Sequence, residues 1–410
     1  MATQALANWS SSLEYNALSA EIIHVAVRSF YNWTGCVVGG SAHPAITIAR
    51  SALARFSGPP TSRLLGSEGS IDADAIHAAL FNGIASHVHD YDDTHLDTII
   101  HPTDGAHRLS APGHGRCKVG RAVWPEHYDV GWHITSTTGS IGAAVAVSKL
   151  LGSSAPQTAH SIGLAATQVT GLREMFGSHT KSFHPGRAAQ NGLLAAILSG
   201  EGYTSSAQVL EAKRGWANVV SSAQRLDAEV ASLAPAGRWE IAQNAFKPFP
   251  CGIVVHPVID GCVWLHGELR RQGLLLSEGE YEIQEVRVTV HPLVLELTGK
   301  TAPRNGLEAK FSVYHGGAVG LLLGRAAPAQ YEDAVVVDER VVRLRERIHA
   351  TAGENLRPEE CHLAVSVQRS DGSTTVIEKH VDHAMGSVER PMADVQLTDK
   401  FVDQCIPVLG

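Results

Sequence analysis

Between His87 and Pro102 the sequence reads His87-Val88-His89-Asp90-Tyr91-Asp92-Asp93-Thr94-His95, followed by His101-Pro102. Histidine exchanges protons near neutral pH and is also the commonest metal ligand, while a carboxylate beside it can orient the ring and raise its basicity. The segment could therefore hold a metal, carry general acid/base chemistry, or be a solvated helix end. No HExxH spacing is present, and the neighbours Asp92 and Asp93 cannot both point into one helical face, which weakens the metal reading. In the acid/base reading Asp90 or Asp93 orients His101, and the imidazole removes a proton alpha to a carboxylate. The chain has 22 histidines against 8 tyrosines and 9 phenylalanines, and this is where they cluster.

Three further segments could supply partners. Gly131-Trp132-His133-Ile134-Thr135-Ser136-Thr137-Thr138-Gly139 places a histidine at the mouth of a helix whose first turn is rich in hydroxyls. Free backbone donors and the positive dipole end suit an anion there, although Ser136 or Thr137 could simply cap the helix. Thr180-Lys181-Ser182-Phe183-His184-Pro185-Gly186-Arg187 puts two cations and a histidine before or into a helix. Cations at that end oppose the dipole, so either an anion offsets the conflict or Lys181 and Arg187 are ordinary surface residues. Phe246-Lys247-Pro248-Phe249-Pro250-Cys251-Gly252 reads as an extended hinge that could aim Lys247 into a cleft. Cys251 has no identifiable His/Asn partner for nucleophilic work, and no GxGxxG, GxxxxGK[ST] or GxSxG motif supports nucleotide binding or serine hydrolysis.

The elements that must carry these residues follow from periodicity. Ile22, Ala26, Phe30, Trp33 and Val37 form one helical stripe ended by Gly39-Gly40, and Pro44 opens a second helix running to Phe56. Asp72 is expected to cap a third, from Ala73 to about Asp90, and Thr137 to Leu151, Pro156 to Thr170 and Arg187 to Leu198 continue the series. After Pro250 the texture changes. Glu282 to Val290 alternates polar and apolar residues as a half-buried strand does, and Cys361 to Gln368 pairs through a Ser370-Asp371-Gly372-Ser373 turn with Thr374 to Lys379. Helical patterns at Leu307 to Leu323 and Asp338 to His349 separate the strands, and Asp394 to Cys405 is helical again. The expected fold class is mainly α with a smaller α+β domain: a helical domain over 1–245 completed by 388–410, and an α+β lid over 246–387.

With 410 residues, 44% hydrophobic, the chain is long enough for one large or two ordinary cores. A net charge of −8 gives no general positive field to gather nucleic acid or anionic lipid, so an anionic substrate needs a local cationic pocket. No run approaches the roughly 18 apolar residues of a membrane span, and the N-terminus lacks the pattern of a secretory signal. A cytoplasmic setting is expected. The six cysteines are scattered without a CxxC pair, and buried thiols are expected.

Taken in order, Phe81-Asn82-Gly83-Ile84-Ala85 leading to Asp90-Tyr91-Asp92-Asp93-Thr94 and His101-Pro102, then Gly131-Trp132-His133, then Thr180 to Gly192, then Phe246-Lys247-Pro248-Phe249-Pro250, resemble the MmgE/PrpD family. That family includes 2-methylcitrate dehydratase and cis-aconitate decarboxylase. The resemblance implies a helical domain with a smaller lid, a cleft between them, a homodimer, and neither metal nor organic cofactor. It places the family's active-site aspartate and threonine at Asp90 and Thr94, its two catalytic histidines at His101 and His133, and its lysine at Lys181; His184, Arg187 and Lys247 are further candidates that, with Thr94, would bind a small anionic carboxylate. The implied activity is that of a lyase acting by alpha-proton abstraction, dehydratase-like first, with decarboxylase-like or epimerase chemistry, or an inactive structural relative, as alternatives. Three departures stand out. His101 to His133 is short for the family, with Thr103 to Gly115 in place of an apolar helix; the chain stops at Gly410 soon after the Asp394 helix; and Gly252 stands where the decarboxylase branch has a histidine, with His256 a turn further on. A missing core helix would leave the enzyme dependent on its dimer interface or impaired.

Overall fold

The computed structural model describes residues 1–67, 72–102, 110–233, 239–274, 281–369 and 371–410. Among them 18 α-helices and six strands give a mainly α fold with a smaller α+β part, as the periodicity predicts. The first stripe is helix Ala20–Gly40, whose Ser19 side chain accepts from the Ile22 amide, and Pro44 opens helix Pro44–Leu53. The third helix, Ala75–His87, begins later than expected. Asp74 rather than Asp72 caps it, accepting from the amides of Ile76 and His77, while Asp72 accepts from the Ser67 hydroxyl instead.

Helices Ile134–Leu150, Ala155–Ala166 and His179–Gly200 form the buried centre of the helical part. The last starts well before Arg187, so Lys181 and His184 are helical residues and Pro185 lies inside the helix. It crosses Ala75–His87 at a point where both backbones touch: a Cβ on Gly83 would fall 2.6 Å from Gly186 Cα, and one on Gly186 2.5 Å from the Leu80 carbonyl oxygen. Only glycine permits that approach, and it brings His87, one turn beyond Gly83, against Lys181. Residues 103–109 of the unusual stretch after His101 lie outside the described residues, but helix Ser110–Val123 stands between His101 and His133 and buries Cys117, Val119, Ala122 and Val123. Residues 110–115, the end of that stretch, are therefore helical.

The α+β part is a sheet in the order Ile348–Ala352, Tyr281–Val290, Cys361–Arg369, Thr374–Val381. Its inward residues Val286, Val288, Leu363, Val365 and Val367 pack with Val258, Ile259 and Cys262 of helix His256–Arg271 and with Val319 of helix Val313–Leu323. The turn at Asp371-Gly372-Ser373 joins the last two strands, with Gly372 at φ +80°; Ser370 lies outside the described residues. Two expectations change. The helix predicted over Leu307 to Leu323 is two helices, Gly306–Ala309 and Val313–Leu323, interrupted by Lys310-Phe311-Ser312. The helix predicted from Asp338 to His349 ends at Glu346, because Ile348–Ala352 leaves as a strand parallel to Tyr281–Val290.

A separate two-stranded ladder pairs Asp93–His95 with Asn244–Phe246, Asp93 opposite Phe246. It stitches the His87 to Pro102 segment to the proline hinge. Helix Asp394–Leu409 packs on Ala20–Gly40, and its buried Lys400 ammonium donates to Asn32 Oδ1 at 2.7 Å and to the Tyr91 carbonyl at 2.6 Å. Among the described residues no helix is long and apolar enough to cross a membrane.

Candidate active site

Helix Ala75–His87 ends where Asp90 takes a left-handed conformation, φ +52°, which aspartate tolerates better than most residues. That reversal turns the chain back under the helix end, and Asp92 becomes the hub of two imidazoles. Its Oδ2 accepts from His87 Nδ1 at 2.7 Å and its Oδ1 lies 3.1 Å from His101 Nδ1. All three side chains are buried. Burial alone would raise the Asp92 carboxyl, but His101 and His87 reverse this and hold it well below the usual range. With Nδ1 of His101 turned to Asp92, Nε2 is the nitrogen left for proton transfer.

Asp90 sits between two lysines. Its Oδ1 accepts from Lys247 Nζ at 2.5 Å and lies 3.1 Å from Lys181 Nζ. The Lys181 ammonium also donates to His87 Nε2 at 2.8 Å, which fixes that ring with its proton on the Asp92 side. Lys247 reaches this position because the short ladder ends beside it, and it donates as well to the Cys251 carbonyl at 3.2 Å. Burial opposes the Asp90 charge, yet Lys181 and Lys247 keep its carboxyl well below the ordinary range. Burial lowers Lys181 despite Asp90, whereas Asp90 and Asp92 outweigh burial at Lys247 and raise it. Two ammonium groups thus share the Asp90 carboxylate, with Asp92 as a further counter-charge to both.

Opposite stands His133, the residue preceding helix Ile134–Leu150, with its Nδ1 2.9 Å from His184 Nδ1. Phe176 packs edge-on to it at 5.1 Å between centroids and stacks in turn on Phe311 at 5.3 Å. Burial pushes His101 down to about 3, His184 to about 4, and His133 well below its ordinary value, so all three rings are neutral at pH 7. These groups meet at a cleft lined by Asp90, His101, His133, Lys181 and Lys247 on the polar side, and by apolar residues including Ile99, Phe176, Val254 and Phe311.

Of the expected site residues, the structure brings Asp90, His101, His133, Lys181 and Lys247 to one cleft, with His184 directly behind His133. Thr94 and Arg187 do not line it. Thr94 is fully buried in the short ladder opposite Ala245, and Arg187 donates to Gln190 Oε1, one turn along the same helix, at 2.5 Å. Asp90 serves the lysines and not an imidazole; the orienting carboxylate is Asp92, which with His87 completes the site. Asp93, the other carboxylate considered for that role, hydrogen-bonds Asn244. The helix mouth at Thr135 to Thr138 is not an open anion seat, because Ser136 bonds the His184 carbonyl, Thr137 bonds His127 and Thr138 bonds the Ile134 carbonyl. His87, Asp90, Asp92 and His101 offer four ligand atoms within 4.8 Å of one another, a spacing a metal could use. The Lys181 ammonium, however, already contacts Asp90 Oδ1 and His87 Nε2 from this cluster, and a divalent cation there would face it directly. Gly252 lines the cleft, and His256 lies outside it, buried at the start of helix His256–Arg271.

The family model for the MmgE/PrpD N-terminal domain matches residues 4–106 and 115–229, and that for the MmgE/PrpD C-terminal domain matches 249–410. The chain is 23% identical to cis-aconitate decarboxylase of Homo sapiens over 97% of its length and 86% of the relative's. It is 22% identical to cis-aconitate decarboxylase of Aspergillus terreus, covering 97% of this chain and 88% of that one. Similarity to 2-methylcitrate dehydratase of Salmonella typhimurium is 24% over 60% of this chain and 52% of the relative.

Proposed function

Because the chain belongs to the MmgE/PrpD family, we propose that it is a lyase that removes a proton alpha to a carboxylate of a small di- or tricarboxylate and expels a β-hydroxyl as water, like its dehydratase relatives. The observation that carries this reading is the cleft in which Asp92 holds His101 as a neutral base beside a wall where two ammonium groups, Lys181 and Lys247, share the Asp90 carboxylate. His101 Nε2 takes the alpha proton, and the electron pair forms the carbon–carbon double bond as the β carbon–oxygen bond breaks. In the tautomer in which His184 donates, His133 carries its proton on Nε2 and delivers it to the leaving hydroxyl, so that water departs. Lys181 and Lys247 hold the substrate carboxylate and stabilise the charge that grows on it as the proton leaves. No metal or organic cofactor takes part in this scheme.

A second reading is decarboxylation, favoured by the 97% coverage of this chain by relatives named cis-aconitate decarboxylase. Gly252, lying in the cleft where that branch has a histidine, supports dehydration instead. Product analysis by NMR with hydroxylated and unsaturated tricarboxylates separates the two: an alkene formed from a β-hydroxy acid supports dehydration, loss of carbon dioxide supports decarboxylation, and neither product with any acid overturns the lyase reading. Dialysis against a chelator is expected to leave the rate unchanged; loss reversed by a divalent cation would return the His87 cluster to the metal reading.

The same proposal includes a cytoplasmic homodimer, for which the family resemblance is the support, and the division into a helical unit over 1–245 with 388–410 and a lid over 246–387. The seating of helix Asp394–Leu409 on Ala20–Gly40 supports that division.

A further inference from the structure

Helix Ser110–Val123, which begins at the end of the unusual stretch after His101, carries Arg116, which is 1% exposed in the middle of the helical part. Its guanidinium donates through Nη1 to the Pro102 carbonyl at 3.2 Å and through Nη2 to the Thr135 carbonyl at 2.6 Å, and its Nε approaches Thr138 Oγ1 at 3.5 Å. Pro102 follows His101, and Thr135 is two residues beyond His133. The His101 amide in turn donates to Thr135 Oγ1 at 3.3 Å. One planar cation therefore ties the backbone of one proposed catalytic histidine to the first helical turn behind the other.

The helix facing Arg116 is shaped to receive it. A Cβ on Gly142 would lie 3.0, 3.1 and 3.2 Å from Arg116 Cβ, Cδ and Cγ, and one on Gly139 would lie 3.2 Å from Nη2 and 2.9 Å from the Ala188 Cβ. Two glycines one turn apart thus form a trough along the arginine stem, and any larger residue would push it from its seat. A lysine could not replace it, because one ammonium cannot span carbonyls presented to a planar fork.

We propose that Arg116 is a positioning residue that sets the distance and orientation between His101 and His133. It touches neither ring and works through the Pro102 and Thr135 carbonyls. This rests on the lyase reading above, in which the two rings act on opposite ends of one elimination.

The test compares Arg116→Lys and Gly142→Ala with the parent, both in turnover and by NMR of ¹⁵N-histidine-labelled protein without substrate. In the parent, His101 is expected as one tautomer with its proton on Nδ1; Arg116→Lys releases it to a mixture. Turnover number falls by about a hundred-fold while KM stays within about three-fold, because lysine contacts to the carboxylate are untouched. Gly142→Ala, which keeps the guanidinium but displaces its stem, gives the same split to a smaller extent and serves if Arg116→Lys fails to fold. Turnover preserved in both variants, an unchanged His101 tautomer, or loss appearing equally in KM overturns the proposal. Should the parent act on no polycarboxylate, the lyase reading fails, and the tautomer comparison alone decides the role of Arg116.

Discussion

Asp90 is shared by two buried ammonium groups, and the consequences of that sharing are measurable. Asp90→Asn leaves Lys181 and Lys247 facing each other without the carboxylate they share, and should cost about 3–5 kcal/mol of stability in urea unfolding. Citrate should raise the unfolding midpoint of this variant more than that of the parent, since a ligand carboxylate can take the empty place; equal shifts would contradict a carboxylate seat on this wall. Lys181→Met should lower turnover by about 10²–10³-fold in steady-state kinetics with the fold retained. The sequence made five of these residues legible because each is a rare type in an informative setting: His101 before a proline, His133 before a hydroxyl-rich run, Lys181 and Lys247 in motifs, and Asp90 in an acidic cluster. It did not reveal that Asp92 orients the imidazoles, because that depends on the left-handed turn at Asp90, which carries no periodic signal. Nor did it separate Thr94 and Arg187 from the cleft, since the direction of a side chain follows from the ladder and helix phase only once the start of each is known.

At the scale of elements, the crossing of Ala75–His87 with His179–Gly200 sets the contact between His87 and Lys181. Gly186→Ala would place a methyl 2.5 Å from the Leu80 carbonyl. Overpacking of this kind costs about 1–3 kcal/mol, and thermal unfolding should register it. Activity should fall further than stability does, because the helices can separate only by drawing Lys181 from His87; an active variant with a lowered melting point would show that this contact is dispensable. The helices themselves were legible from apolar stripes and caps, and the alternating strands from their period of two. Strand Ile348–Ala352 was not, because five residues following a helical pattern show too little alternation to announce a change. The break at Lys310 escaped for a related reason: apolar residues on both sides keep helical spacing through it.

For the whole molecule, the buried histidines determine how the fold responds to acid. His101 and His256 are held at about 3, and His127 and His184 at about 4, all by burial from an ordinary 6.5. The folded chain therefore binds fewer protons than the unfolded chain below pH 6.5, and each such ring removes about 1.4 kcal/mol of stability per pH unit on the way down to its folded value. Asp90 and Asp92, depressed from 3.8, act in the same direction at still lower pH. Urea unfolding between about pH 7.5 and pH 5 should show stability falling steeply with acid, and a flat profile would mean that these rings charge freely in the native state. The central claim is that His101, held by Asp92 opposite a lysine wall, abstracts an alpha proton. Its most direct measurement is incorporation of deuterium at the alpha carbon of a polycarboxylate substrate in heavy water, followed by NMR for the parent and for His101→Asn. The account predicts incorporation or alkene formation with the parent and loss of both in the variant, with substrate binding retained; undiminished exchange by His101→Asn would contradict it.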